Sequence, residues 1–498
     1  MSDTNRVAIR AVKEVTYGIV PTAPFLRDIP YSGAPNLGFV PETVVSELIR
    51  SDRQIDDLAL VGAEAAGDLN SELAFGIHDY LFEGAWFNTF QVRNKWTNTE
   101  EETQITAVTA TQFTVTNEGF TPIINDIVRS QGFNGANNNG YHIVNGAPTT
   151  TAVTVATALT VEASPPLRAR LHTVGRRSAA GDLDLTITGS TGTLASTVLN
   201  FTTLGLQAGD WVKLAGFSAT PVNNGWYRIS VAPTATLLTF GIVPTGAATE
   251  NPAGAVDVYM GERLINSTTR ISYTLEEEFS DHSPVTFQYF RGMMVDGLTI
   301  TAEPQAIVTT GLTFSGKDAF FSDSGIPATV PAQLPAVAGN GRVGSATTVT
   351  TGQVNVLNSS SNVGRIARGG VPISGSNFVL EATFEIANNL RQQPAVGFLG
   401  AVGIGVGEFG VTGSLSTYFD NASIARDVVS NTETSFDVRF VDIANQIVLL
   451  DAPRIKFSEG SPEVPGKNQD ATVPLSYQAI RHPVFNYTLA LFRFYGVQ

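Results

Sequence analysis

The chain has 498 residues, too many for one ordinary domain, with 45 acidic against 30 basic side chains and a net charge of −15. That balance excludes a surface built to grip nucleic acid, which needs a basic footprint, though not a protein that DNA slides past. Cysteine is absent, which excludes disulfide frameworks, thiolate zinc sites and cysteine nucleophiles.

In chain order, the opening Met1-Ser2-Asp3-Thr4-Asn5-Arg6 is polar and lacks the apolar core of a secretory signal, so we read a chain made without export. An alternating segment over 67–75 leads into a helical pattern at 77–87, where Ile77, Leu81, Gly84, Ala85 and Phe87 share a face. A motif then occurs twice. Asp126-Ile127-Val128, Gly132-Phe133 and Asn138-Asn139-Gly140-Tyr141 are echoed by Asp210-Trp211-Val212, Gly216-Phe217 and Asn223-Asn224-Gly225-Trp226. Each Asn-Gly lies between apolar stretches, a hairpin signal, so we expect two small β modules in tandem at 98–180 and 181–261.

Strands are expected next at 270–275, 294–301 and 312–314, from their period-two alternation. Residues 323–358 are rich in Ala, Pro, Gly, Ser and Thr with little charge, and read as a linker or extended arm. Beyond it the earlier order recurs. Residues 410–419 lead into a second helical pattern at 421–429, followed by strands at 436–440, 449–455 and 473–477. The chain therefore reads as a duplication: a first copy at 1–97 and 262–322, interrupted by the tandem modules, and a second copy at 359–498. The expected class is mainly β with a few short helices. The longest apolar stretch, 396–407, is too short and too glycine-rich to span a bilayer as a helix.

No catalytic constellation assembles from these elements. Gly405-Val406-Gly407-Glu408-Phe409-Gly410 is formally G-x-G-x-x-G, but a strand pattern follows it, so we read close backbone approach rather than a phosphate loop. The five histidines are scattered, and His78-Asp79 reads as capping and packing at a helix start. Asp182 and Asp184 lack the further oxygen ligands of a calcium loop. Glu276-Glu277-Glu278 reads as a solvated strand end or charged face. No metal or cofactor is expected. Of the 30 bases 24 are arginine, the residue suited to paired contacts in an assembly.

The stretch 44–58, from Val44-Val45-Ser46-Glu47 through Arg50-Ser51-Asp52-Arg53 to Asp56-Asp57-Leu58, resembles the tail tube (major tail) proteins of long-tailed, non-contractile bacteriophages (siphophages). So do Val15-Thr16-Tyr17-Gly18, Gly67-Asp68-Leu69-Asn70 with His78-Asp79-Tyr80-Leu81, and Tyr289-Phe290-Arg291-Gly292. The resemblance covers roughly 8–97 and 262–322, more weakly from 360 onward. It implies two tube-type β-sandwich or barrel domains with short flanking helices, whose hairpins join across subunits around a lumen that conducts the genome. It also implies a virion protein of the tail, assembled in the host cytoplasm, with itself, a tape-measure protein and tail-end proteins as partners. Duplicated members close a ring with three chains in pseudo-sixfold symmetry; a homohexamer is the alternative. DNA would pass without specific binding. In the hairpin region Asp56, Asp57, Glu64, Asp68 and Glu72 are candidate lumen-facing acids, with ring-to-ring or outer surfaces as the alternative. Arg50 and Arg53 are candidate subunit contacts. The inserted modules are expected on the outer wall. The rival is a β-sandwich adhesin or carbohydrate-binding protein with the tandem modules as its active part; Trp211, Trp226 and Tyr227 would give it a sugar-stacking platform, the more usual reading of such residues being the core of a small domain. An enzyme is disfavoured.

Overall fold

The computed structural model describes residues 3–323, 341–352, 354–373, 377–398 and 400–497. It is mainly β, 47% strand and 6% helix. Contacts divide the chain into two compact units: Met1–Thr89, Ser267–Ser359 and Glu381–Leu415 form one, and Phe90–Asn266, Ser360–Leu380 and Ser416–Gln498 the other.

In the first unit an antiparallel sheet runs, strand beside strand, Val7–Lys13, Tyr273–Phe279, Thr286–Ala302, Thr309–Gly316, Leu58–Glu72 and Gly38–Val45. Alternation drives it. Along Leu58–Glu72, Ala65, Leu69 and Ser71 are buried while Glu64, Asp68 and Glu72 are not. The helix Asp79–Trp86 lies on Thr286–Ala302 and buries Leu81, Phe82, Ala85 and Trp86. Its 77–87 pattern is therefore a helix, two residues shorter at the start. His78 packs rather than caps: it is buried with its Nε2 3.3 Å from the Pro30 carbonyl, and its side chain makes no cap bond. Of the segment read as a linker, 324–340 lies outside the described residues. Thr347–Val349 pairs in parallel with Phe25–Asp28, and Arg342 reaches the buried Glu276 at 2.7 Å.

The second unit repeats that strand order. Val363–Arg368, Thr434–Val441, Ile447–Gly460 and Thr472–Ala479 lie side by side. The end of Gly410–Tyr418 joins Thr472–Ala479, and Phe419 N–H donates to the Ala471 carbonyl. Ser423–Val429 is helical, as the 421–429 pattern predicts. Even the bulges recur. Asp296 in Thr286–Ala302 and Ser458 in Ile447–Gly460 are each the extra residue a few positions into the pairing with the next strand, Thr309–Gly316 or Thr472–Ala479.

The same unit holds the tandem modules, which share one sheet through Arg170–Arg177 and Asp257–Met260. Their repeat extends to hydrogen bonds. Asn139 Oδ1 accepts from Phe133 N–H as Asn224 Oδ1 accepts from Phe217 N–H, and Asn138 and Asn223 donate to Glu162 and Glu250. Each Asn-Gly does serve a hairpin, Asp126–Gln131 with Gly140–Ile143 and Trp211–Ala215 with Trp226–Ile229. The turn, however, is a longer loop through a 3-10 turn, because those asparagine amides tie the loop to its own backbone instead of closing a two-residue turn.

Candidate assembly interface

The strands Gly38–Val45 and Leu58–Glu72 form an arm that leaves the body of its sheet. They pair from Gly38 opposite Ala66 to Val45 opposite Leu58, with Val61 bulged. At its root the arm is pinned by Gly67. Its φ is +157°, and a Cβ there would stand 2.1 Å from the Asn36 carbonyl oxygen, so only glycine fits. Towards the tip both faces are bare: Val44 is 54% exposed, Leu58 57% and Ile49 fully. β-branched and leucine side chains form this strand readily but bury nothing in their own chain. An exposed apolar strand pair with an unsatisfied outer edge is an aggregation template unless another chain covers it.

The tip closes on itself electrostatically. The Arg50 guanidinium pairs with Asp52 at 3.0 Å and with Asp56, and that bonding holds the Asp52 carboxyl below its usual range. Asp57 accepts from Leu58 N–H at 2.8 Å. Arg53 sits at φ +61° in the exposed turn. Of the acids singled out in the sequence, Asp56 and Asp57 thus belong to the tip, whereas Glu64, Asp68 and Glu72 share one face of the sheet.

That face opposes the core. Residues directly paired across antiparallel strands point to the same side. Glu72, Asn70, Asp68 and Ala66 stand opposite Thr309, Gly311, Thr313 and Ser315. Those in turn neighbour Thr301, Thr299 and Gly297, which neighbour Thr383, Glu385 and Ala387. Thr412 and Ser414 continue the face through hydrogen bonds to Glu385 and Thr383. None of these positions holds lysine or arginine. The result is a Thr/Ser/Gly carpet whose only charges are carboxylates. Glu385 was missed in the sequence; its signal was the alternation of 381–387, with glutamates at 381 and 385 on the polar phase.

The other features tested for chemistry have structural duties. Gly407 of the glycine motif leads into the strand Gly410–Tyr418, not a helix, and its Cβ would stand 2.7 Å from the Asn389 carbonyl. Glu276 is fully buried between Arg10 at 2.8 Å and Arg342, and accepts from the Tyr289 hydroxyl. Glu277 stands apart from that network, half-buried, with burial raising its pKa. Asp182 accepts from Ser196, Thr197 and Val198. Among the described residues no group of three or more His, Asp or Glu could hold a metal, and no helix is long and apolar enough to cross a membrane. The aromatics of the second module are not a platform. Trp211 and Tyr227 are buried, the Trp211 indole N–H donates to Asp451 at 3.1 Å, and Trp226 packs edge-on against Phe494 beneath the Arg439 guanidinium.

No curated protein matches the chain. A family model described as phage tail tube protein matches residues 4–479, nearly the whole length. With its mainly β fold, its duplicated strand order and its uncovered arm, the chain belongs to the phage tail tube protein family, structural components of the virion tail that self-assemble into a tube.

Proposed function

We propose that this chain polymerises into stacked rings whose lumen conducts the genome, with the carboxylate-bearing Thr/Ser/Gly face as the lumen wall. The observation that carries the reading is the arm, with exposed apolar side chains on both faces towards its tip and, among the described residues, no strand paired to its outer edge, which a free monomer has no reason to display. A wall bearing Glu64, Asp68, Glu72 and Glu385 without a cation repels the phosphate backbone and gives DNA nothing to grip. The tip, with Arg50, Arg53, Asp56 and Asp57, serves contacts between subunits. Because one chain carries the strand order twice, three chains supply six equivalent units and close a pseudo-sixfold ring; six chains are the alternative. The inserted modules decorate the outer wall. Assembly takes place in the host cytoplasm, which the absence of cysteine suits, and a tape-measure protein and tail-end proteins complete the tail.

Electron microscopy of the purified chain tests this. Stacked rings with an axial channel and threefold or pseudo-sixfold symmetry are expected. A chain that stays monomeric at high concentration overturns the reading. The adhesin alternative loses its support in the structure, since its aromatic platform is spent inside the fold.

A further inference from the structure

The chain contains one arm already docked. In the second copy the strand Val379–Ala387 precedes Gly410–Tyr418 just as Gly38–Val45 precedes Leu58–Glu72 in the first. Residues 382–387 of that strand add to the edge of Thr286–Ala302, from Ala387 opposite Gly297 to Ala382 opposite Ala302. The next residues clamp it. Asn388 donates its side-chain amide to the carbonyls of Ala85 and Val295, and Leu390 N–H donates to Asp296. The first copy's own arm has no such berth among the described residues.

The repeat supplies the register. Gly67-Asp68-Leu69 corresponds to Gly413-Ser414-Leu415, so Ala66 corresponds to Thr412 and their partners Gly38 and Glu385 correspond to each other. Residues 35–40 are then the counterpart of 382–387. The matching bulges at Asp296 and Ser458 make 459–464 the counterpart of 297–302. We infer that the edge at 35–40 pairs with residues 459–464 of a second copy of this chain, Val40 opposite Glu459, Gly38 opposite Ser461 and Asn36 opposite Glu463. The inference rests on the tube reading and names the surfaces that join.

Three features of these segments fit the match. Asn36 N–H donates inward to Asp68, so the alternate groups of Leu37 and Phe39 point outward, bracketed by Pro35 and Pro41, which have no N–H to offer. The outer edge is thus limited to a short pairing and closed to runaway strand addition. On the core side the pairing brings Phe39 beside Gly460 and Pro35 beside Val464, covering Val464, which is 81% exposed in the single chain. On the other side it sets Glu459 and Glu463 in line with Asp68 and Glu385, extending the carboxylate face across the junction. The contact is heterologous, arm of the first copy to edge of the second, the kind of contact whose repetition builds a ring when its rotation closes.

Since the chain has no cysteine, paired substitutions report the register without background. Directly opposed strand residues lie within disulfide reach, and diagonal ones fall outside it. In tubes of the V40C/E459C chain, mild oxidation should link most chains into covalent oligomers up to the full ring, as should G38C/S461C, which guards against one pair impairing assembly. The off-register V40C/E463C chain should link little. Tubes in which neither in-register pair links, or in which the off-register pair links instead, overturn this pairing alone. Absence of tubes from the unmodified chain overturns the tube reading and the pairing together.

Discussion

At the scale of single residues, the second unit is held by buried polar groups that a sequence cannot reveal. Asp451 is fully buried and accepts from Trp211, Arg228 at 3.0 Å and the Tyr487 hydroxyl at 3.1 Å. Trp211 and Arg228 lie more than two hundred residues from Asp451 in the chain and Tyr487 lies 36 away, so local spacing carries no trace of the cluster; the aromatics look like a ligand platform until the acid beneath them is known. His172 is the clearest titration probe. It is buried, stacks on Tyr495 with ring centroids 3.5 Å apart, and neither ring nitrogen has a hydrogen-bond partner among the described residues. Burial first, then the nearby Arg170, Lys95 and Arg493 charges, push its pKa well below the ordinary histidine value. The folded state therefore refuses a proton that the unfolded chain takes up below about pH 6.5. Stability from this group is full above that pH and falls as pH drops through it, by about 1.4 kcal/mol per unit. His78, His142 and His482 shift in the same direction and share the effect. Replacing His172 by phenylalanine keeps the stack and removes one titrating group. Urea unfolding at pH 7.5 and 5.5 should show a smaller acid loss for His172→Phe; an unchanged difference would mean His172 is not the neutral group assigned here.

At the scale of elements, periodicity was the dependable guide, because one face of each strand or helix meets a core that the alternation itself encodes. Both helical patterns and the strands expected at 270–275 and 312–314 emerge within a few residues of their limits, whereas the strand expected at 294–301 begins well earlier, at Thr286. What period two does not say is what the opposite face meets. Glu64, Asp68 and Glu72 were legible as a set of acids, and their placement on one face follows from the alternation of Leu58–Glu72. Asp56 and Asp57 lie beyond the regular register, where loop geometry decides, and they face the tip. Glu385 came from a strand brought alongside by pairing across the duplication, which no local window displays. If the shared face lines a channel for DNA, its sign matters more than its individual members. Changing Glu64, Asp68 and Glu72 together to lysine replaces three negative charges by three positive ones per chain at half-buried positions of the face, where substitutions that leave the core untouched cost little stability. Tubes should still form, and genome ejection from the resulting particles should slow, most at low salt where the attraction is least screened. Ejection at the unmodified rate from intact tails would remove the face from the lumen.

At the scale of the whole chain, an insertion is expected to be separable, and the geometry of its junction encourages that view. Ser267 N–H donates to the Trp86 carbonyl and Thr269 N–H to that of Phe87, so the ends left by removing residues 90–266 already lie together. Yet the inserted segment shares a core with the second copy. Trp211, Ile242 and Tyr259 pack with Ile447, Leu449, Tyr487, Phe492 and Phe494, and Glu262–Ile265 is the strand beside Ala490–Phe494. Composition hid this, because an apolar residue on a module strand reads the same whether it faces its own core or a neighbour. Excision would bare that apolar layer and take Arg228 and the Trp211 indole away from Asp451. The first unit would keep its own core and its arm. A chain lacking 90–266 should therefore aggregate or bind hydrophobic dye, with proteolysis cutting first in 416–497. A soluble excised chain that melts at the temperature of the full-length one would show that the modules are detachable decoration, with no share in holding the second copy together.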